Sequence, residues 1–470
     1  MLLCPKTGEA CKQRSFCLTF YMSSTGPKDA PKDLRGVIKH LGPGLIITAC
    51  IVGSGELIAT PKVGAEYGFS LLWFIIAGCM IKVLVQVELG RFAISKGMTT
   101  LEAMNTMPGP RFIVSWLVWC WLFMFIGILF QLGGIVGGVG KVVAELGWLS
   151  QLGENADRVI AIAVSAATVA ILASGKYKPV EVFSTIMVVL FTLATLFALG
   201  SLQFSPDMAD YKITTGDIME GLKFKLPSDF STAFAAFGII GVGASELIYY
   251  PYWCLEKGYA RNVGTANPTS VWYERAKGWL RIMRIDAWLS MVVYTGATVA
   301  FFLLGAALLH GTQQVQDGNM IAALSEMYRP LGKAGLTIFL VGAFVVLFST
   351  MVTASASNAR LLADGLILFT VIPKPKDEER RGQLLSKCCI AVPVFCAIVY
   401  FLIGAPVSLV LVGGVAQALM LPFLSIAALY FRYKQTDNPL QPGRVWTVFL
   451  WLSALAMSAV GLFQLYQKLS

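Results

Sequence analysis

Two glutamates sit where an apolar chain should carry none. Glu56 lies in the run Gly53-Ser54-Gly55-Glu56-Leu57-Ile58, and Glu246 lies in Gly243-Ala244-Ser245-Glu246-Leu247-Ile248. Each run is a cluster of small residues followed by Glu-Leu-Ile, and each is embedded in a hydrophobic stretch. A carboxylate at mid-bilayer costs roughly 2.5–3.5 kcal/mol on insertion scales, so an ionisable group at that depth is by default a functional candidate. Such a carboxylate can ligate a cation or carry a proton at a translocation site. It can also sit in the first turn of a half-helix, accepting free backbone N–H groups and offsetting the helix dipole.

Other chemistry is scarce. The two histidines, His40 and His310, lie at the edges of apolar segments, which nearly excludes a His-rich metal site or a His-based triad. The ten cysteines are scattered, mostly in apolar runs and without a CxxC pair, and read as small hydrophobes. No P-loop, HExxH or nucleophile elbow is present, so neither an enzyme nor an ATP-driven pump is expected, and no cofactor is called for.

The elements that position the glutamates follow from composition. Of 470 residues 56% are hydrophobic and 14% charged, against roughly 45–50% and about 25% in a soluble domain; the mean hydropathy is +0.69. The excess must face lipid. A span needs roughly 20 apolar residues. Candidates fall at about 42–65, 69–94, 112–140, 157–174, 178–202, 231–255, 285–310, 334–362, 385–404, 405–431 and 445–466, which makes eleven. The net charge of +10 does not indicate nucleic acid, because the basic residues lie in loops between spans. They concentrate in the tail and after spans six, eight and ten, for example Lys257, Arg261, Arg380, Arg381 and Arg432, while the loop after span five is net acidic. Positive-inside then places the N-terminus in the cytoplasm and the C-terminus outside, in a plasma membrane such as a bacterial inner membrane. Residues 1–40 read as a mobile cytoplasmic tail with no cleavable signal peptide. Segments 267–281 and 374–383 read as short interfacial helices.

The glutamate motifs stand five spans apart, so their helices cross the membrane in opposite senses. This is the pattern of an inverted five-helix repeat whose first helices are interrupted near the midplane. Glycine supplies the backbone freedom and serine can cap the second half-helix. The expected architecture is an all-α integral membrane protein. Its tail is 1–40, its first repeat 41–202 (spans one to five), its extracellular loop 203–230, its second repeat 231–431 (spans six to ten), and its last loop and span 432–470. The candidate substrate-binding residues are Gly53, Ser54, Gly55, Glu56, Gly243, Ala244, Ser245, Glu246 and Gln417, with Glu56 and Glu246 as metal ligands if the cargo is a cation. Elsewhere, Glu88 can pair with Arg91 at a boundary. The span-three glycines 133, 134, 137, 138 and 140 read as close-packing positions beside Gln131. The hydroxyl run of span eight, from Ser349 to Asn358, can line a path or bond back to its helix. A break in span ten is open near Gly413-Gly414 and Pro422.

Leu41-Gly42-Pro43-Gly44 before span one and Gly64-Ala65-Glu66-Tyr67-Gly68-Phe69-Ser70-Leu71-Leu72-Trp73 before span two resemble the NRAMP family of divalent-metal transporters, as does Leu421-Pro422-Phe423 in span ten. The likeness covers most of 40–431 and implies a LeuT-type fold with inverted repeats, broken first and sixth helices and alternating access. The site departs from the family. Its first-span Asp-Pro-Gly-Asn is here Gly53-Ser54-Gly55-Glu56, and its sixth-span Met-Pro-His is replaced by a stretch with neither Met nor His. Gly414 aligns with its tenth-span Gln, with Gln417 nearby.

The expectation is therefore a secondary transporter of a small ion within the lipid bilayer, with a proton or sodium gradient as candidate driving force. Two opposed helix breaks aim N–H groups at one cavity, which suits a small anion, and bicarbonate leads because the family's Asp, Met and His metal constellation is replaced as a whole. The paired glutamates suit a hard divalent cation, magnesium or manganese, as the alternative. An amino acid or other small organic solute is the second alternative.

Overall fold

A computed structural model describes residues 26–53, 55–145, 156–225, 227, 231–311, 323, 325 and 332–469. The eleven expected spans are all represented. Span one is Pro43–Ile51 followed by a π turn, Gly55–Ala59, and the helix Thr60–Tyr67. Span two is Leu72–Lys96, span three Trp116–Glu145, span four Ala156–Leu172 and span five Tyr177–Phe204. Span six is split into Ser231–Phe237 and Ala244–Lys257. Spans seven to eleven are Ser270–Leu308, Gly332–Leu368, Glu378–Ile403, Pro406–Tyr430 and Arg444–Leu469. Among the described residues only eight segments are long and apolar enough to qualify as spans on those grounds alone. The difference has three sources: spans one and two run together as Pro43–Lys96, span four has 17 residues, and span six is broken. A two-residue antiparallel hairpin, Arg111–Phe112 against Val114–Ser115, precedes span three.

The bundle closes through small residues. A side chain on Gly137 would strike the ring of Tyr400, one on Gly134 the carbonyl of Pro406, and one on Gly140 the carbonyl of Asp157. The glycine face of span three is thus a close-packing face, as its spacing predicts. Leu193, Leu196, Phe401 and Leu455 stay exposed on the outside of spans five, nine and eleven, the arrangement of a lipid-facing surface.

Span one is anchored at its start by span seven. Pro43 opens the helix, and Gly42 offers no side chain to cap it. The buried carboxylate of Asp286 does so instead, accepting N–H bonds from Gly42 at 3.0 Å and Gly44 at 2.6 Å and a hydroxyl bond from Tyr250 at 3.1 Å. At the other break the chain turns through Gly241, whose φ of +63° favours glycine.

Several expectations are corrected. Residues 26–40 are docked rather than mobile: the Lys28 N–H donates to Asn262, Trp279 donates to the Lys28 carbonyl, and Arg275 pairs with Asp29. Residues 1–25, with Cys4, Cys11 and Cys17, lie outside the described residues. Segment 267–281 is no separate interfacial helix, because the helix of span seven runs unbroken from Ser270 after the Thr269 cap. Most of 374–383 likewise joins span nine behind the Asp377 cap. Span ten is continuous through Gly413-Gly414 and Pro422, as neighbouring helices permit for proline within a membrane. In span eight Thr353, Ser357 and Asn358 bond back to the carbonyls of Ser349, Thr353 and Ala354. Glu88 pairs with Arg91 at 3.3 Å and accepts from the Trp446 indole at 2.7 Å, a structural knot between spans two and eleven.

Candidate functional site

The breaks of spans one and six meet around a cavity of about 20 Å³, room for about one water-sized particle. Span one contributes Cys50 and Gly55, span three Gln131, span six Ser245, Glu246 and Tyr249, span eight Thr350, and span ten Gln417. Glu246 occupies the first turn of Ala244–Lys257. Its Oε2 accepts from the Ser245 hydroxyl at 2.7 Å and its Oε1 from the Cys50 thiol at 3.5 Å. The same Ser245 hydroxyl stands 2.8 Å from Gln417 Oε1, which also accepts the Ser245 N–H at 3.1 Å. Gln417 Nε2 in turn donates to Gln131 Oε1 at 2.8 Å. Four spans are therefore joined through one carboxylate and two amides.

The duplicated glutamates are not equivalent. Glu56 is fully buried and away from the cavity wall. Its Oε2 accepts the Gly53 N–H at 3.1 Å and its Oε1 the Thr298 hydroxyl at 3.1 Å, so it closes the first break and ties it to span seven. Of the other candidates, Gly55, Ser245, Glu246 and Gln417 line the cavity. Gly243 borders it, since a Cβ there would stand 2.3 Å from Gln417 Oε1 and 2.5 Å from Glu246 Oε2. Ala244 is buried and is not on the wall. Ser54 lies outside the described residues. Span ten reaches the cavity through Gln417. Gly414 instead presents its carbonyl to Gly238.

Gly53 is where the first break demands a close approach. A Cβ there would lie 1.9 Å from Thr350 Oγ1, and Thr350 donates to the bared carbonyl of Val52 at 2.9 Å. Gly53→Ala is expected to destabilise the protein by about 1–3 kcal/mol through overpacking. Gly55→Ala, whose Cβ would meet only the Ile239 carbonyl at 3.1 Å, should cost less. Thermal unfolding of the two purified variants checks the order.

Sequence reasoning missed Thr298 and a buried lysine, Lys82, and took Cys50 for a small hydrophobe. Thr350, on the cavity wall, belongs to the span-eight hydroxyl run that the sequence had marked as able to line a path. Lys82 carried a readable signal, a single charge inside the apolar run 74–85. Thr298 and Cys50 did not, because only the packed breaks show which hydroxyl or thiol faces inward. Among the described residues no cluster of three or more His, Cys, Asp or Glu side chains forms a metal site.

The described geometry, two opposed broken helices around an ion-sized cavity, is that of a transporter. The family model for natural resistance-associated macrophage protein-like (Nramp) proteins matches residues 44–467. This chain belongs to that family. It is similar to the divalent metal cation transporter MntH of Deinococcus radiodurans, with 23% identity covering 93% of this chain and 92% of the relative. It is similar also to the metal transporter Nramp6.2 of Populus trichocarpa, with 20% identity over 86% and 69% of the two chains. The solved manganese transporter of Eremococcus coleocola superposes with a TM-score of 0.65 at 14% identity, covering 94% of this chain and 90% of that one. MhsT, solved with L-phenylalanine, superposes at 0.57, also at 14% identity, over 94% and 99% of the two chains. As an Nramp-family member the chain is a multi-pass membrane transporter of LeuT-type fold and not an enzyme.

Proposed function

We propose that this Nramp-family transporter carries a small, hard divalent cation, magnesium or manganese, by alternating access at the cavity between the two breaks. The observation that supports it is the excess of acceptors. The Ser245 hydroxyl has one hydrogen and two acceptors within reach, Glu246 Oε2 and Gln417 Oε1. Gln417 Oε1 keeps the Ser245 N–H in either case. When the hydroxyl turns to Gln417 it is Glu246 Oε2 that is left to a cation, and when it turns to Glu246 the second lone pair of Gln417 Oε1 stays open. The donors are carboxylate, amide and hydroxyl oxygens, with the Cys50 thiol the sulfur on the wall, a set that suits hard cations. The names of the relatives, divalent metal cation transporter and metal transporter, agree with this reading.

The same accounting weakens the bicarbonate reading. Break N–H groups that an anion needs are already given to internal acceptors, that of Gly53 to Glu56 and that of Ser245 to Gln417. An anion would also face the Glu246 carboxylate. A cavity of about 20 Å³ in this state is too small for an amino acid as well.

Glu246, Gln417 and Ser245 would contact the cation, with Gln131 orienting Gln417 and with Glu56, Gly53 and Gly243 shaping the breaks. The loop charges support placing this machinery with its N-terminus in the cytoplasm and C-terminus outside, in a cytoplasm-facing membrane such as a bacterial inner membrane.

Ligand linkage tests the proposal. Magnesium or manganese at about 100 times its dissociation constant should stabilise the folded protein by about 2.7 kcal/mol. Thermal unfolding of the purified protein in each chloride salt, and in sodium bicarbonate, reads this out. Stabilisation by bicarbonate alone would sink the cation reading.

A further inference from the structure

Span two carries a lysine in a stretch that faces no water. Lys82 lies within Leu72–Lys96 and is 0% exposed. The helix face it shares with Gly78 and Cys79 packs on the unwound middle of span six. A Cβ on Gly78 would stand 3.0 Å from the Phe237 ring, and one on Gly241 would stand 2.9 Å from Cys79 Sγ. The Lys82 ammonium donates to the carbonyls of Phe237 and Ile240, the second at 2.7 Å, and sits 4.2 Å from the centre of the Phe237 ring.

Phe237 ends the helix Ser231–Phe237, and Ile240 lies in the link that follows. The break bares both carbonyls, and the negative end of the half-helix dipole points the same way. Bared carbonyls at the C-terminal ends of half-helices are where transporters with broken helices coordinate sodium or protons. The ring adds a cation–π face. The titratable groups whose charges act on Lys82 are Cys79, Glu246 and Glu56. A buried ammonium costs several kcal/mol unless its hydrogens are bonded and its charge is offset; the carbonyls, the ring and the carboxylates do both.

We propose that Lys82 is a tethered monovalent cation: its ammonium fills the carbonyl site at the span-six break that a free sodium or potassium ion would take, so the transport cycle needs no such ion. The inference rests on the broken helix and holds whichever small ion the cavity carries.

The test is thermal unfolding of the full-length purified protein at fixed ionic strength in chlorides of sodium, potassium, methylammonium or N-methyl-D-glucamine. The wild type should unfold at the same temperature in all four. Lys82→Ala opens the site; its midpoint should fall and should recover, saturably, with sodium, potassium or methylammonium but not with the bulky amine. Lys82→Gln keeps an N–H donor and loses the charge, so it provides a readout if the alanine variant does not fold. Its solute uptake in proteoliposomes should drop at least several-fold in every salt. A wild type that needs sodium or potassium for stability or uptake overturns the proposal. So does a Lys82→Ala midpoint indifferent to all four cations, or a Lys82→Gln protein that transports like wild type. The uptake readouts, taken with manganese, rest on the divalent-cation reading, but the unfolding midpoints do not, so the two proposals fail distinguishably.

Discussion

Glu246→Gln is expected to cut divalent-cation uptake on the order of 10–100-fold, the equivalent of losing one interaction with a charged group, about 1.5–3 kcal/mol. The substitution keeps the volume and one acceptor oxygen. It removes the one carboxylate among the described residues that line the cavity, and with it part of the charge that offsets Lys82, so the unfolding midpoint should fall modestly while uptake falls far more. Glu56→Gln is the contrasting variant. Glu56 spends its oxygens on the Gly53 N–H and the Thr298 hydroxyl. A glutamine can accept the first through its carbonyl and donate to the Thr298 oxygen, whose own hydrogen has the Tyr294 carbonyl at 2.8 Å to bond to. Uptake by Glu56→Gln should therefore fall far less. Initial rates in proteoliposomes compare the two, and equal losses would mean that the duplicated glutamates act as a pair after all.

Asp286→Ala should produce the largest loss of stability, on the order of 3 kcal/mol. The carboxylate holds the N–H groups of Gly42 and Gly44 and the hydroxyl of Tyr250, all within the bundle. Bonds to a charged acceptor contribute about 1.5–3 kcal/mol each and do not add fully. The Tyr250 hydroxyl can turn to the Met283 carbonyl at 2.9 Å, but the Gly42 and Gly44 N–H groups are left buried without that acceptor. Asp286→Asn retains one acceptor oxygen and should lose a smaller share. Denaturant or thermal unfolding in detergent measures both, and an Asp286→Ala protein as stable as wild type would remove the account of how span one is anchored.

Much of this fold was legible in the sequence, for reasons that can be named. Hydrophobic length marks a span whether or not its neighbours are known, and the Glu-Leu-Ile duplication marked both breaks because small residues followed by a charge have no other reason to recur in lipid. The glycines of span three were legible as packing positions. What a one-dimensional reading could not supply was direction. Glu56 and Glu246 sit in near-identical strings, yet one faces the cavity and the other its own break. Gln417 and Gly414 lie three residues apart on one helix, and only the packed bundle shows that the glutamine meets Ser245. The preference for an anion rested on the replaced metal motifs, with helix ends taken in isolation as its physical ground. In the folded protein their N–H groups already have acceptors, supplied by residues as distant in sequence as Gln417. The docking of residues 26–40 on Asn262 and Trp279 was invisible for the same reason.

The central claim, a hard-cation path through the cavity at Glu246, is tested most directly by uptake into proteoliposomes loaded with a divalent-metal dye and a pH dye. Magnesium, manganese and bicarbonate are offered in turn to the wild type and to Glu246→Gln. The account predicts entry of magnesium or manganese by the wild type, lost in Glu246→Gln, with no bicarbonate-dependent change of internal pH. A bicarbonate-driven pH change without metal entry would contradict it and return the two glutamates to the role of helix caps.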